Sequence, residues 1–428
     1  MTRRLEIFLV AGLFIVAMLV SAVFWAVLPA EYRENQSTDY ALAYEPVARN
    51  IAAGRGITLE GEIATRYPPG FSILLAGVFR LGDALNVTDE TMLLAFRLLC
   101  VGLAVVLIYG LGRLLWSPWA ALIPAAAWMT YPFSLWLTKQ PNSEVPFIPV
   151  FFAAMLVFWW ALLRERDGAR AAALYLAAGV LSGAAMLIRP AALGLSVVLA
   201  LLVLLLAARA TSMRTRLLYG TLVILGSILA VLPWEAAVYA QTSEIVPLSS
   251  GGPATLYDGL TFLAVPKDYR REVAIPEDVA DLMWAIHERR AETATTGGVL
   301  TVLVEEAQAT PAAFVKLMLI KLARSWYGID SRMMEGPTVL IQAVYLLMAV
   351  WGTLYCWRQG GAAQRMVGGN WLIVLYFWAM TFTVIPLLRY MTPVMGLLML
   401  PLPGFYYSLA AWRQKRVERQ VGPVSSDY

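Results

Sequence analysis

The feature that most constrains this chain is a succession of apolar runs, each about 20 residues long, the length an α-helix needs to cross the hydrocarbon of a bilayer. They lie near 7–28, 91–112, 117–137, 145–163, 171–188, 190–208, 217–239, 336–356, 369–387 and 391–411. With 60% hydrophobic and 14% charged residues, the mean hydropathy of +0.66 excludes a soluble globular protein. The pattern predicts an all-α polytopic membrane protein, one domain over 1–428 with about ten transmembrane helices. The first run follows Arg3 and Arg4 and is too long for the core of a cleaved signal peptide, so a retained helix is expected.

Sparse cysteine and histidine narrow the chemistry. Cys100 and Cys356 both sit in apolar runs, which leaves nothing to build a disulfide framework or a thiolate cluster. A single histidine, His287, excludes Ser/His/Asp triads and multi-histidine metal sites, and its charged surroundings mark it as a solvated surface residue. Carboxylates, arginines, lysines, tyrosines and backbone are what remains.

An even number of spans puts both termini on one side. Arg3, Arg4, Arg113, Arg164, Arg166, Arg170, Arg209, Arg214, Arg216, Arg358, Arg365, Arg413, Lys415, Arg416 and Arg419 share that side, which the positive-inside rule makes the cytoplasm. The net charge of +4 is therefore topological and gives no reason to expect a nucleic-acid partner. The expectation is a multi-pass protein of the inner (cell) membrane, surrounded by membrane lipids, with a cytoplasmic tail over 412–428. Two external segments, 29–90 and 241–335, hold most of the polar residues that a helix bundle has no packing use for. In the first, Phe71 to Arg80 is apolar but too short to span and predicts an interfacial or re-entrant helix. In the second come a turn region from Ser249 to Gly252, a charged stretch from Lys267 to Arg290, and an amphipathic helix from Pro311 to Tyr327 expected at the membrane surface.

Within these segments a few polar residues stand out. Asp39 precedes Tyr40, Tyr44, Val47 and Ile51, which share a helical face, and Pro46 must either kink this helix or begin its second half. Asp39 can cap the helix or act as a general base on a hydroxyl at the water–membrane boundary, and the two roles can coexist. In Arg66-Tyr67-Pro68-Pro69-Gly70 a rigid turn holds a guanidinium, either as a phosphate clamp or as a snorkelling loop arginine. Lys139 and Glu144 flank a very short external turn, as solvated charges or as residues at the mouth of the bundle. Arg189, before Pro190, and Arg389 lie at the external boundary, where an arginine is either an interfacial anchor or the partner of a phosphate or carboxylate.

Taken in order, Asp39, the Ala48 to Gly56 stretch, Arg66-Tyr67-Pro68-Pro69-Gly70, Leu187-Ile188-Arg189-Pro190, Pro233-Trp234 and Val246 to Gly252 resemble the bacterial membrane glycosyltransferases of the GT-C superfamily. The similarity is to the branch akin to protein O-mannosyltransferases and aminoarabinose transferases, and it covers roughly the first 260 residues. It implies a GT-C-like helical bundle in which Asp39 activates the acceptor and Arg66 holds the lipid-phosphate leaving group. Arg189 matches the arginine before proline, and Glu144 the acidic position of the second external loop. The chain departs from the family after Pro-Trp, where Glu235-Ala236-Ala237-Val238-Tyr239 replaces the usual arginine and asparagine.

The reaction so implied is an inverting transfer of a sugar from a polyprenyl-phosphate donor to a hydroxyl of a glycan, lipid or protein acceptor on the extracytoplasmic face. Asp39 is its base; Arg66, Arg189 and Arg389 hold the donor phosphate; Tyr40, Tyr67, Lys139 and Glu144 contact substrate. No cofactor is required, and no cluster of carboxylates or histidines compels a divalent metal. The rival readings are a transporter or scaffold for lipid-linked saccharides and a polysaccharide ligase or polymerase. Transporters place polar groups near the midplane, whereas here they crowd one face.

Overall fold

The computed structural model describes residues 2–33, 37–164, 168–208, 211–329 and 334–410, without the side chains of 33, 271 and 272. The expected cytoplasmic tail, 412–428, lies outside the described residues. The chain opens with α1 (Arg3–Val27), whose N-terminus is capped by the Thr2 hydroxyl accepting from Leu5 N–H. The first long connection then holds α2 (Ala30–Arg33), a π-helical turn over Tyr40–Tyr44, α3 (Glu45–Ala52), a hairpin of β1 (Thr58–Leu59) and β2 (Glu62–Ile63), and α4 (Gly70–Leu85). The hairpin pairs Thr58 with Ile63 and Leu59 with Glu62. Both residues of its Glu60-Gly61 turn have positive φ, as a tight two-residue connection requires.

Helices α5 (Asp89–Arg113), α6 (Leu122–Met129), α7 (Pro132–Leu137), α8 (Glu144–Arg164), α9 (Ala169–Ile188), α10 (Leu195–Leu206) and α11 (Met213–Thr242) form the first part of the bundle. After helices α12 (Gly252–Thr261), α13 (Glu277–Glu288), α14 (Thr296–Ala309) and α15 (Pro311–Arg324), the chain returns through α16 (Glu335–Gln359), α17 (Gly361–Thr383), α18 (Leu388–Met399) and α19 (Leu402–Ala410). Among the described residues seven helices, α1, α5, α8, α9, α11, α16 and α17, are long and apolar enough to cross a membrane, and α18 with α19, bent by 45°, makes an eighth if counted as one span. Two more of the ten apolar runs take other forms. The run 117–137 is broken between α6 and α7, where Pro132 starts a new helix, and 190–208 begins with Pro190 and yields the shorter stretch Pro190–Leu206.

Between α9 and α11 there is almost no side chain. A Cβ on Gly179 would meet the Val223 carbonyl, one on Gly183 the Ser227 oxygen at 2.6 Å, and one on Gly226 the Leu176 carbonyl. Small residues let two backbones approach where lipid offers no hydrophobic drive to associate. The core alongside is aromatic, with Phe147, Phe151, Phe152, Phe158 and Trp159 of α8 wholly buried. Two polar pairs cross between helices there, Trp159 Nε1 donating to Asn370 Oδ1 at 3.0 Å and Tyr131 OH to Gln342 Oε1 at 2.7 Å. Helices α12 to α15 have their own small core of Tyr257, Leu282, Met283, Ile286, Val302 and Leu317. It is tied to the bundle where Trp378 Nε1 donates to the Leu322 carbonyl at 3.0 Å.

Candidate active site

Asp39 owes its position to Pro46. With no N–H to give, Pro46 falls in the first turn of α3, and the residues ahead of it, Tyr40–Tyr44, take the wider π turn. Of the two fates open to Pro46, it begins the second half. Asp39 stands at the head of this turn but does not cap it. Its backbone is already helical (φ −62°, ψ −36°), and a capping side chain needs an extended backbone to fold back on the first N–H groups. The carboxylate instead accepts a hydrogen bond from Tyr67 OH at 2.8 Å.

Tyr67 is itself fixed by packing. Its ring lies on that of Tyr44, centroids 4.9 Å apart, and Tyr44 meets Phe71 edge-on at 5.0 Å. Pro68 and Pro69 are buried, and Pro69 leads directly into α4. At Gly70 a Cβ would come within 2.6 Å of the Leu187 carbonyl, so the Pro-Pro-Gly turn seats against the backbone just ahead of Arg189. Two motifs that are 120 residues apart in the chain are thereby one structure. Burial and the bond to Asp39 push the Tyr67 phenol up to about 12, which keeps it a donor across the physiological range.

Glu144 is not a solvated loop charge. Its side chain is 6% exposed and forms an ion pair with Arg189, itself 10% exposed, while Arg389 Nε approaches the same oxygen at 3.9 Å. Ser143 Oγ completes the set, donating to Glu144 at 3.4 Å and accepting from Arg189 Nη1 at 3.2 Å. Tyr390 sits under both guanidiniums, 5.3 Å from Arg189 and 4.9 Å from Arg389, and its hydroxyl accepts from Arg389 Nη2 at 2.9 Å. One carboxylate against two guanidiniums leaves net positive charge, partly open through Arg389, whose side chain is 37% exposed. The buried Tyr44 hydroxyl lies in the field of Arg189 and Glu144 and beside Ser143, so the two tyrosines connect this cluster to Asp39.

Arg66 is exposed, its guanidinium 5.5 Å from the Tyr67 ring centre. The segment 246–252 comes across to meet it. Ser250 N donates to Thr65 O at 2.8 Å, the hydroxyls of Thr65 and Ser250 are 3.0 Å apart, and a Cβ on Gly251 would strike the Arg66 carbonyl at 2.6 Å. The departure from the family after Pro-Trp finds a use here. Glu235 accepts from Leu248 N–H at 2.7 Å while Trp234 Nε1 donates to the Leu248 carbonyl at 2.9 Å, a two-point grip on a non-glycine residue held at φ 62°. Beside Arg66 opens a groove of about 360 Å³, walled by Tyr44, Tyr67, Pro69 and the hairpin residues Leu59 and Glu62.

Two of the expected substrate contacts are placed elsewhere. Tyr40 is 2% exposed and belongs to the core, so it packs the π turn and has no face toward a bound molecule. Lys139 is buried with its ammonium on the Tyr32 carbonyl and 4.2 Å from the Trp136 ring, turned away from Glu144, and burial lowers its pKa. One residue not singled out in the sequence belongs to the neighbourhood. Asp258 of α12 lies near enough to Arg290, Arg66 and Asp39 to feel all three charges, and partial burial raises its pKa. No spacing rule marks it, because contacts between segments far apart in the chain, such as Ser250 on Thr65 and Gly251 on Arg66, bring α12 to the first loop. Among the described residues no three His, Cys, Asp or Glu side chains are grouped to hold a metal ion.

Known proteins share parts of this architecture. Residues 66–234 match the family described as dolichyl-phosphate-mannose-protein mannosyltransferase. Compared by sequence with curated proteins, the chain matches none. Among solved structures it resembles the archaeal oligosaccharyltransferase AglB of Archaeoglobus fulgidus in complex with an inhibitory peptide and a dolichol-phosphate, with TM-score 0.57 and 13% identity over 98% of this chain and 52% of that one. An Archaeoglobus fulgidus oligosaccharyltransferase tethered with an acceptor peptide gives TM-score 0.56 at 14% identity, covering 98% and 52%, and its apo form 0.54 at 15%, covering 98% and 53%. The chain thus spans about half the length of the solved structures it matches. The fold is thus shared along nearly the whole of this chain, while the family match runs from Arg66 to Trp234.

Proposed function

We propose that the protein is an inverting glycosyltransferase that moves a sugar from a polyprenyl-phosphate donor to an acceptor hydroxyl on the extracytoplasmic face of the membrane. The observation that carries this reading is the convergence of one hydrogen-bonded, accessible carboxylate, Asp39, with an exposed arginine, Arg66, and the Glu144–Arg189–Arg389 cluster at one end of an apolar helix bundle. Asp39 takes the proton of the acceptor hydroxyl as its oxygen attacks the anomeric carbon. The bond from that carbon to the phosphate oxygen breaks, and the electron pair leaves with the phosphate. Arg66, assisted by Arg389, stabilises the charge that builds on the leaving group, so one base and a few cations suffice for a donor already activated by its phosphate. The match to a dolichyl-phosphate-mannose-dependent family supports a lipid-linked donor. The acceptor is a glycan, lipid or protein.

The test is mass spectrometry of polyprenyl-phosphate lipids from cells lacking the protein, complemented with the intact chain or with Asp39→Asn. One lipid-linked sugar should accumulate without the protein and with Asp39→Asn, and clear with the intact chain. An unchanged lipid profile in all three strains would overturn the reading in favour of a transporter or scaffold.

A further inference from the structure

We infer that Tyr67 is a positioning residue for Asp39: its hydroxyl orients the carboxylate while its ring is held by the buried Tyr44. The inference rests on the transferase reading above. The hydroxyl donates to Asp39 Oδ1 at 2.8 Å, a charge-assisted bond that leaves the second carboxylate oxygen to meet an acceptor proton. Asp39 needs such a guide, because its own backbone is helical and its side chain makes no capping bond. The guide is immobile from both sides. Below it, Tyr44 is buried against Phe71, with its carbonyl accepting from Ser72 Oγ at 3.2 Å. Next to it, the buried Pro68 and Pro69 lead to a glycine pressed on the Leu187 carbonyl. A tyrosine loses only two rotatable side-chain torsions when so packed, and here they are already spent before any substrate arrives. Burial and the bond to Asp39 push the phenol up to about 12, so it remains a donor to the carboxylate across the physiological range.

Tyr67→Phe removes the hydroxyl and keeps the ring stack. In purified full-length protein, thermal unfolding of the intact chain, Tyr67→Phe, Asp39→Ala and the double variant should show coupling, the double variant losing no more than the worse single one. With the lipid-linked sugar that accumulates in cells lacking the protein as donor, Tyr67→Phe should lower kcat about tenfold and leave the donor KM within about twofold. Additive unfolding losses, full kcat, or a raised KM at unchanged kcat would each overturn the inference, the last by making Tyr67 a substrate contact. An intact chain that moves no sugar overturns the transferase reading and this inference with it. An active intact chain with full-rate Tyr67→Phe overturns this inference alone.

Discussion

The two carboxylates of the site are held in opposite ways. Asp39 is half-buried and, among the described residues, its hydrogen-bond partner is neutral, the hydroxyl of Tyr67. Glu144 is buried, ion-paired to Arg189, bonded by Ser143 and faced by Arg389. The difference separates two jobs. A general base must have a lone pair free and a charge that a proton can neutralise, whereas a carboxylate wedged between guanidiniums is committed to keeping them in place. On the proposed function, Glu144 is a support for two cations and Asp39 the base.

The largest effects should fall on opposite measurements. Asp39→Asn should cut transfer by about 10²- to 10⁴-fold, the usual contribution of a positioned base, while thermal unfolding stays close to that of the intact chain. Glu144→Ala should do the reverse in kind: it leaves Arg189 buried beside no carboxylate, a loss on the order of 3–5 kcal/mol in stability. Thermal unfolding together with transfer rates decides the matter. A Glu144→Ala protein of normal stability and no activity would break the comparison and make Glu144 a second catalytic carboxylate.

The sequence makes the membrane helices legible because burial in lipid demands long apolar runs, and it places Asp39, Arg66 and Arg189 through their motifs. What it leaves hidden is direction. Tyr40 and Tyr44 share one helical face and are both in the core, yet the Tyr40 hydroxyl lies in the field of Glu45 and Arg49 while the Tyr44 hydroxyl lies beside Ser143 in the field of Arg189 and Glu144. Lys139 and Glu144 are five residues apart and point to different partners, since Asn142 bonds back to Leu137 O at 2.7 Å and its side chain also accepts from Val145 N at 3.3 Å, folding the turn between them. Asp258 was invisible because its place depends on a contact between Thr65 and Ser250, a pairing no local pattern encodes.

A third arrangement of charge sharpens the contrast. Arg66 is exposed and its guanidinium rests on the Tyr67 ring, so its donors face outward. Arg66→Ala should raise the donor KM about tenfold, the worth of a hydrogen bond to a charged group, with little change in unfolding temperature. Unchanged donor affinity would return Arg66 to the status of a loop arginine.

Lys321 gives the opposite limit, a cation buried at 1% exposure whose ammonium faces the Phe382 ring at 5.7 Å. Burial lowers it from 10.5 to about 7. The unfolded chain therefore holds a proton between about pH 7 and 10.5 that the folded chain does not, so this group adds stability as pH rises through that window and opposes folding below it. Lys321→Met should raise the unfolding temperature by a few degrees at pH 7 and flatten its rise between pH 7 and 9. A variant with the intact chain's pH dependence would show that the ammonium is solvated in the folded state.

The smallest effect expected is at Glu235, the carboxylate just after Pro233-Trp234. Its bond to Leu248 N–H is one of two that hold the strained Leu248, and through it Ser250 and Gly251, against Thr65 and Arg66. Because Trp234 still grips the Leu248 carbonyl, Glu235→Ala should cost only about 1 kcal/mol, the net value of one hydrogen bond. Its kinetic signature should be a modest rise in donor KM, about twofold to threefold, through a looser seat for Arg66, with kcat kept because Asp39 and Tyr67 are untouched. A fall in kcat like that of Asp39→Asn would place Glu235 beside the base, and the comparison would then be among three carboxylates with two of them in the chemistry.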